Sequence, residues 1–420
     1  MSEQSSVLQP DLEYPKIRPV EALPHPEGSE KGVCLRDPRQ FAKNVLVLPP
    51  PVFFMVAHFD GNHSLRDIQE LFMRKHGELV PLAKIQAIAK QLDREFFLES
   101  QTFYEQKQAV VEAFRSDPIR QASHAGTAYP GDKKELRAQL NQLLDSVREK
   151  EAEDPPPQNQ DLSLLISPHI DLHRGGECFA FAYRELARHT PADLYIIFGT
   201  AHQSERNVIA LTRKSFSTPL GVVETDADFV DRYNDLASFD PFEDEFLHRD
   251  EHSIEFQVLW LQHVLGDHWR GKIVPILCGS FHPYIQAGIS PREDQQTAQA
   301  LDVLRQVVAE YSGRIVAVAG VDFSHVGRRF GHLQGLSPRE LERVTHDDRQ
   351  VLESLHTGEA EAFYRAIEEK KDRNNVCGLS PIYMALDVVR AGRGFLLSYD
   401  QAVEDDAQSM VTFASMAFYR

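Results

Sequence analysis

From about residue 120 onward, continuous apolar runs rich in β-branched residues alternate with amphipathic stretches. The runs are 162–167 (LSLLIS), 194–199 (LYIIFG), 207–212 (NVIALT), 273–278 (IVPILC), 315–321 (IVAVAGV) and 395–398 (FLLS). Helical spacing of apolar residues marks 133–149, 253–265, 295–311 and 380–390. Strands that are apolar on both faces need cover on both faces. The pattern therefore predicts an α/β fold, a layered α/β/α domain over 118–420 with a mainly parallel or mixed sheet. A final alternating run, MVTFASMAFY (410–419), is expected to add an antiparallel strand.

The first third of the chain reads differently. Residues 1–32 are rich in Pro, Glu and Ser, lack periodicity, and are expected to form a flexible arm or a strap. Over 33–117 the spacing predicts a small α+β unit. Ser64 with Asp67 resembles a capping box, and Leu65, Ile68, Leu71 and Phe72 follow at helical spacing until Gly77. Pro81 then opens a second helix carrying Leu82, Ile85, Ile88 and Leu92. The stretch FFLESQTFYEQ (96–106) reads as a short strand or hairpin. Two helices and a β element suit a winged-helix-like module. Residues 150–161 (KEAEDPPPQNQD) read as a linker or long surface loop.

Composition narrows the classes. The 420 residues carry a formal net charge of −18, which disfavours a general grip on phosphate backbones. The second helix of the small unit does carry Lys84, Lys90 and Arg94. Asp93 and Glu95 lie beside them, as on a solvated helix face rather than a DNA-reading one. No apolar run approaches the ~20 residues needed to span a bilayer. The N-terminus has no basic and apolar leader, and four cysteines are too few for a disulfide scaffold. A reducing cytoplasm is the expected location.

Chemistry is sought at the carboxyl ends of the strands, where open α/β sheets place their sites. His169 follows the 162–167 run in Pro-His-Ile-Asp, His202 follows 194–199, and Asp322 and His325 follow 315–321. His252 stands at the start of a strongly apolar helix, behind Asp250 and Glu251, which read as capping acids at the positive helix end. Cys377 sits in a polar turn just before another helix, a setting that lowers a thiol pKa and makes it a candidate thiolate. Cys34, Cys178 and Cys278 read as structural. Histidines, an acid and a thiol at strand ends suit a metal, although no HExxH motif or CxxC pair is present.

Six segments, in order, resemble the Memo family, also called AmmeMemoRadiSam system protein B. They are SHAGTAYP (123–130), SPHID (167–171), GTAH (199–202), DEHSIEFQ (250–257), VDFSHVGRRFG (321–331) and NNVCGLSPI (374–382). Ala128 stands where the family usually has Trp. The resemblance implies a fold like that of the class III extradiol dioxygenases, with metal ligands His169, His202 and Cys377. His252, Asp322 and His325 would line the same pocket in catalytic roles. It implies ferrous iron above copper or zinc, and redox chemistry on a small-molecule or peptide substrate. Radical SAM and AMMECR1-type proteins are the implied partners. The alternative is a metal-dependent ligand-binding or scaffold protein without turnover. The N-terminal unit resembles domains related to the PqqD peptide chaperone, chiefly in FDGNHSLRDIQELF (59–72).

Overall fold

The computed structural model describes residues 10–24, 32–203, 206–332, 335–404 and 408–420. The chain divides into two compact units, 1–116 and 117–420. Among the described residues, no helix is long and apolar enough to cross a membrane.

In the first unit, strands β1 (Glu21–Pro24), β2 (Val33–Arg36) and β3 (Leu46–Leu48) form an antiparallel sheet that precedes the helices. Residues 10–24 are therefore a packed strap. Ile17 bridges to Leu98, and buried Arg18 pairs with buried Asp37 at 2.7 Å. Residues 1–9 and 25–31, the rest of the expected arm, lie outside the described residues. The capping box of Ser64 and Asp67 opens the helix Leu65–His76, and Gly77 closes it in the left-handed conformation. Ile68, Phe72, Ile85 and Leu92 pack as one core.

The expected short strand or hairpin at 96–106 is not present. Phe96 turns with φ 63°, Leu98 makes a single bridge, and a helix runs over Gln101–Ser116. Ser100 decides the outcome, because its hydroxyl accepts from the Phe103 N–H at 3.2 Å and starts the helix. Gln101 and Glu105 then pair one turn apart. The β element of this unit thus lies before the helices, not after them.

The second unit has the predicted layers. Strands β4 (Ile119–Arg120), β8 (Ser215–Thr218) and β9 (Gly221–Val223) form a small outer sheet. The main sheet contains β5 (Leu162–Ser167), β6 (Leu194–Thr200), β7 (Ile209–Leu211), β10 (Lys272–Cys278), β11 (Ile315–Gly320) and β12 (His325–Gly327). It ends with β13 (Arg393–Glu404) and β14 (Ser409–Tyr419). Its order is β12-β14-β5-β11-β6-β10-β7, with β13 on β14. The four strands β5, β11, β6 and β10 are parallel. β14 runs antiparallel beside β5, as its alternating pattern predicts.

Alternate residues of each central strand enter opposite cores. Ile196 and Phe198 face one cluster with the helix Leu379–Val389, and Tyr195 and Ile197 face the other with the helices Leu172–Leu186 and His252–Leu265. β11 lies between β5 and β6, so the chain reverses its order across the sheet there, and the loops after these strands open a crevice. The 150–161 segment is a loop of this unit, held where the Glu153 and Asp154 N–H groups donate to Leu397 and Leu396.

Candidate metal centre

The crevice collects the expected residues. His169 follows β5, His202 follows β6, Asp322 follows β11, and His252 opens the helix His252–Leu265. The rings of His169, His202 and His252 lie 4.8–5.1 Å apart, centroid to centroid. Their candidate ligand nitrogens all fall within 4.8 Å of one another. The helix reaches this position because Gly320 has no side chain. A Cβ there would stand 2.5 Å from the Ser253 carbonyl oxygen.

Each ring is held from behind. His169 Nδ1 lies 3.0 Å from the Gly320 carbonyl oxygen. His202 Nδ1 lies 3.0 Å from Glu251 Oε2, and His252 Nδ1 lies 3.2 Å from Glu251 Oε1. A carbonyl and an ionised carboxylate can only accept, so each Nδ1 carries a hydrogen and Nε2 is the nitrogen each ring leaves for a ligand. Three imidazoles oriented by acceptors behind them could hold a transition-metal ion.

Glu251 is more than the cap expected from the sequence. It caps the helix through the His252 and Ser253 N–H groups, and it orients two of the three rings. Burial opposes its charge, but the neighbouring His202 and His252 hold its carboxyl well below the usual range. Burial likewise opposes protonation of His202, and the Glu251 carboxylate outweighs it and raises the pKa. His169 is buried and beside two other imidazoles, so its pKa falls well below the ordinary histidine value. Sequence reasoning missed this function of Glu251; its adjacency to His252 was the available signal.

Cys377 enters beside the triangle of histidines rather than as one of its corners. Its Sγ lies 3.4 Å from His169 Nε2 and 3.3 Å from the Asp322 carbonyl oxygen. Contrary to the helix-terminus expectation, burial pushes its thiol well above the usual value. Desolvation outweighs the helix end, so the thiol is protonated until a cation displaces the proton. Asp322 Oδ1 accepts from the His169 N–H at 3.0 Å and the Ile170 N–H at 3.2 Å, and burial pushes its carboxyl up to about 6. Burial also brings His325 down to about 4, so it is neutral at pH 7.

His202, His325 and Cys377 line one cavity of about 400 Å³. Phe281 and Phe330 supply apolar wall, and His282 with Asp372, 3.5 Å apart, lies at its polar margin. This His–Asp pair carried no local signal in the sequence.

The SHAGTAYP segment does not reach the cavity. It builds a buried network on Glu255, which is fully enclosed. Glu255 accepts from the Ser123 N–H at 3.0 Å, the His124 N–H at 3.0 Å, the Tyr129 hydroxyl and the Arg120 guanidinium. Arg120 also donates to the carbonyls of His248 and Glu251 at 2.8 Å. The segment thus fixes the backbone that presents Glu251 and His252. Ala128 is part of the packing around it.

A family model described as "Memo-like protein" matches residues 120–417. A MEMO1 family protein of Aquifex aeolicus is 25% identical over 410 residues, 96% of this chain and 100% of that protein. The MEMO1 family protein TTHA0924 of Thermus thermophilus is 26% identical over 349 residues, covering 83% of this chain and 97% of its own. The protein memo-1 homolog of Caenorhabditis elegans is 30% identical over 277 residues, covering 64% of this chain and 70% of its own.

Proposed function

The chain belongs to the Memo-like protein family, and from that premise we propose that its second unit holds one transition-metal ion for redox chemistry on a small-molecule or peptide substrate. The carrying observation is the convergence of His169, His202 and His252, whose candidate ligand nitrogens lie within 4.8 Å of one another while the Nδ1 of each ring faces an acceptor. Cys377 stands beside His169 as a fourth donor that gives up its proton on binding. Imidazole suits iron, copper and zinc, and a neutral donor set with one thiolate leaves room for open positions. Iron is the metal we assign, and when bound it would supply dioxygen or substrate activation.

The chain's own groups do the rest. Glu251 orients His202 and His252, and the Gly320 carbonyl orients His169. Asp322, titrating near pH 6, exchanges a proton close to the site. His325, neutral at pH 7, is held with Nδ1 3.1 Å from the Phe323 carbonyl oxygen and also meets the Asn375 backbone. Phe281 and Phe330 exclude water from part of the cavity. A reducing cytoplasm keeps Cys377 available.

Anaerobic purification with elemental analysis tests this reading. One equivalent of iron per chain is expected, and His169→Ala and Cys377→Ser should lower it. Unchanged metal content in both variants refutes the centre; copper or zinc in place of iron refutes only the metal. Metal-dependent dioxygen uptake with a panel of catechols tests turnover. Its absence favours metal-dependent recognition without catalysis.

A further inference from the structure

The turn that leads into Cys377 is held in an unfavourable backbone conformation. Lys371, Asp372 and Asn375 have φ of 53°, 45° and 52°, three of the seven non-glycine residues with positive φ among the described residues. Such residues persist only where the surroundings fix them, and they gather at functional sites. Here they stand just before a proposed metal donor, and the turn also grips the pocket. The Asn375 Nδ2 donates to the His325 carbonyl at 3.2 Å, and the His325 N–H donates to the Asn374 carbonyl at 2.7 Å.

Asp372 supplies the fixing contact. Its side chain is buried, and Oδ1 accepts from the Val376 N–H at 2.8 Å. Its carbonyl accepts from the Asn375 N–H at 3.0 Å, so one residue closes the turn from both its side chain and its backbone. The other carboxylate oxygen, Oδ2, lies 3.5 Å from Nδ1 of the partly exposed His282. After Val376 the chain is pinned twice more. The Thr200 hydroxyl donates to the Cys377 carbonyl at 3.3 Å, and the Gly378 N–H donates to the Asp322 carbonyl at 3.0 Å. On the preceding side, the Val376 N–H finds its acceptor in Asp372.

We propose that Asp372 is a positioning residue of the metal centre, which fixes through Val376 the direction from which the Cys377 sulfur meets the ion. The inference rests on reading Cys377 as a donor. Asp372 acts on the peptide next to that donor, as the Glu251 carboxylate and the Gly320 carbonyl act on the rings. Without the carboxylate the Val376 N–H is left buried and unpaired, and the left-handed turn loses what holds it.

Anaerobic titration of the full metal-free chain with Co2+ tests this, read by the near-ultraviolet thiolate-to-cobalt charge-transfer band. The native chain should show the band and Cys377→Ser should lack it. Asp372→Gly suits the observed φ and removes the anchor. Its band should shift or weaken, and its Co2+ affinity should fall about 10–100-fold, the range for groups that orient metal ligands. Asp372→Asn keeps an acceptor for Val376 and tolerates left-handed backbone, so it should restore both readouts. His282→Ala, which faces only Oδ2, should leave both unchanged. Should the glycine chain not fold, Asp372→Ser, whose oxygen is one bond short of the Val376 N–H, carries the same expectation. A folded Asp372→Gly or Asp372→Ser chain with native band and affinity overturns the proposal, even if its melting point is lower. An Asp372→Asn chain as impaired as the glycine one overturns it too. A native chain without a Cys377-dependent band overturns the reading of Cys377 as a donor, and the positioning role with it.

Discussion

Replacing Glu255 with glutamine isolates the network beneath the metal centre. Glutamine keeps the volume and one acceptor oxygen, but it turns an NH2 donor toward groups that are themselves donors. These are the N–H groups of Ser123 and His124, the Tyr129 hydroxyl and the Arg120 guanidinium. It also leaves Arg120, whose side chain is fully buried, without its countercharge. Breaking a buried pair from one side costs about 3–5 kcal/mol. At about 2 °C per kcal/mol for a unit of this size, the melting point should fall by about 6–10 °C. The assay reads the right unit, because both tryptophans of the chain, Trp260 and Trp269, belong to it. Their fluorescence during urea and thermal unfolding should shift in the variant. A loss below about 1 kcal/mol would refute the reasoning, since it would mean that Arg120 finds solvent or another anion without cost.

Glu251→Gln should weaken metal binding about 10–100-fold by releasing the His202 and His252 rings, as measured by anaerobic chelator competition. Equal affinity would show that the rings hold themselves. Unfolding free energy should also drop between pH 7 and pH 5. His248 and His325 have folded pKa values near 4, below the unfolded value of about 6.5. The unfolded chain therefore binds more protons in this window, and stability is lost as pH falls. Each histidine contributes about 2 kcal/mol, partly offset by Asp322, whose raised pKa works in the opposite sense. Stability that is flat or rising on acidification, followed by denaturant titration, would contradict this.

The parts of the site legible in the sequence were those with a positional rule. His169, His202 and Asp322 follow apolar runs, and the ends of parallel strands converge. The placement of Cys377 was legible, but its protonation was not, because burial depends on chain segments far away. Arg120 and Glu255 lie 135 positions apart, and a pair at that separation leaves no local pattern. Glu251 was hidden by a sufficient explanation, since a capping acid at a helix start needs no second role. The misread 96–106 segment has aromatic residues that suit a strand, and a single hydroxyl at Ser100 decided for the helix.

The position of β11 between β5 and β6 also constrains when the centre can exist. His169 meets Asp322 across 153 positions, and β5 meets β14 across as many as 257, where Leu162 pairs with Tyr419. Contacts this distant close late and slowly. A chain emerging from the ribosome would carry His169 and His202 long before Asp322 and Cys377 arrive. Early histidines are then exposed as loose, unselective ligands, and the shaped site forms only with the sheet. If the proposed centre binds a metal, its choice of metal would then be a property of the finished fold, and loading would follow synthesis rather than accompany it.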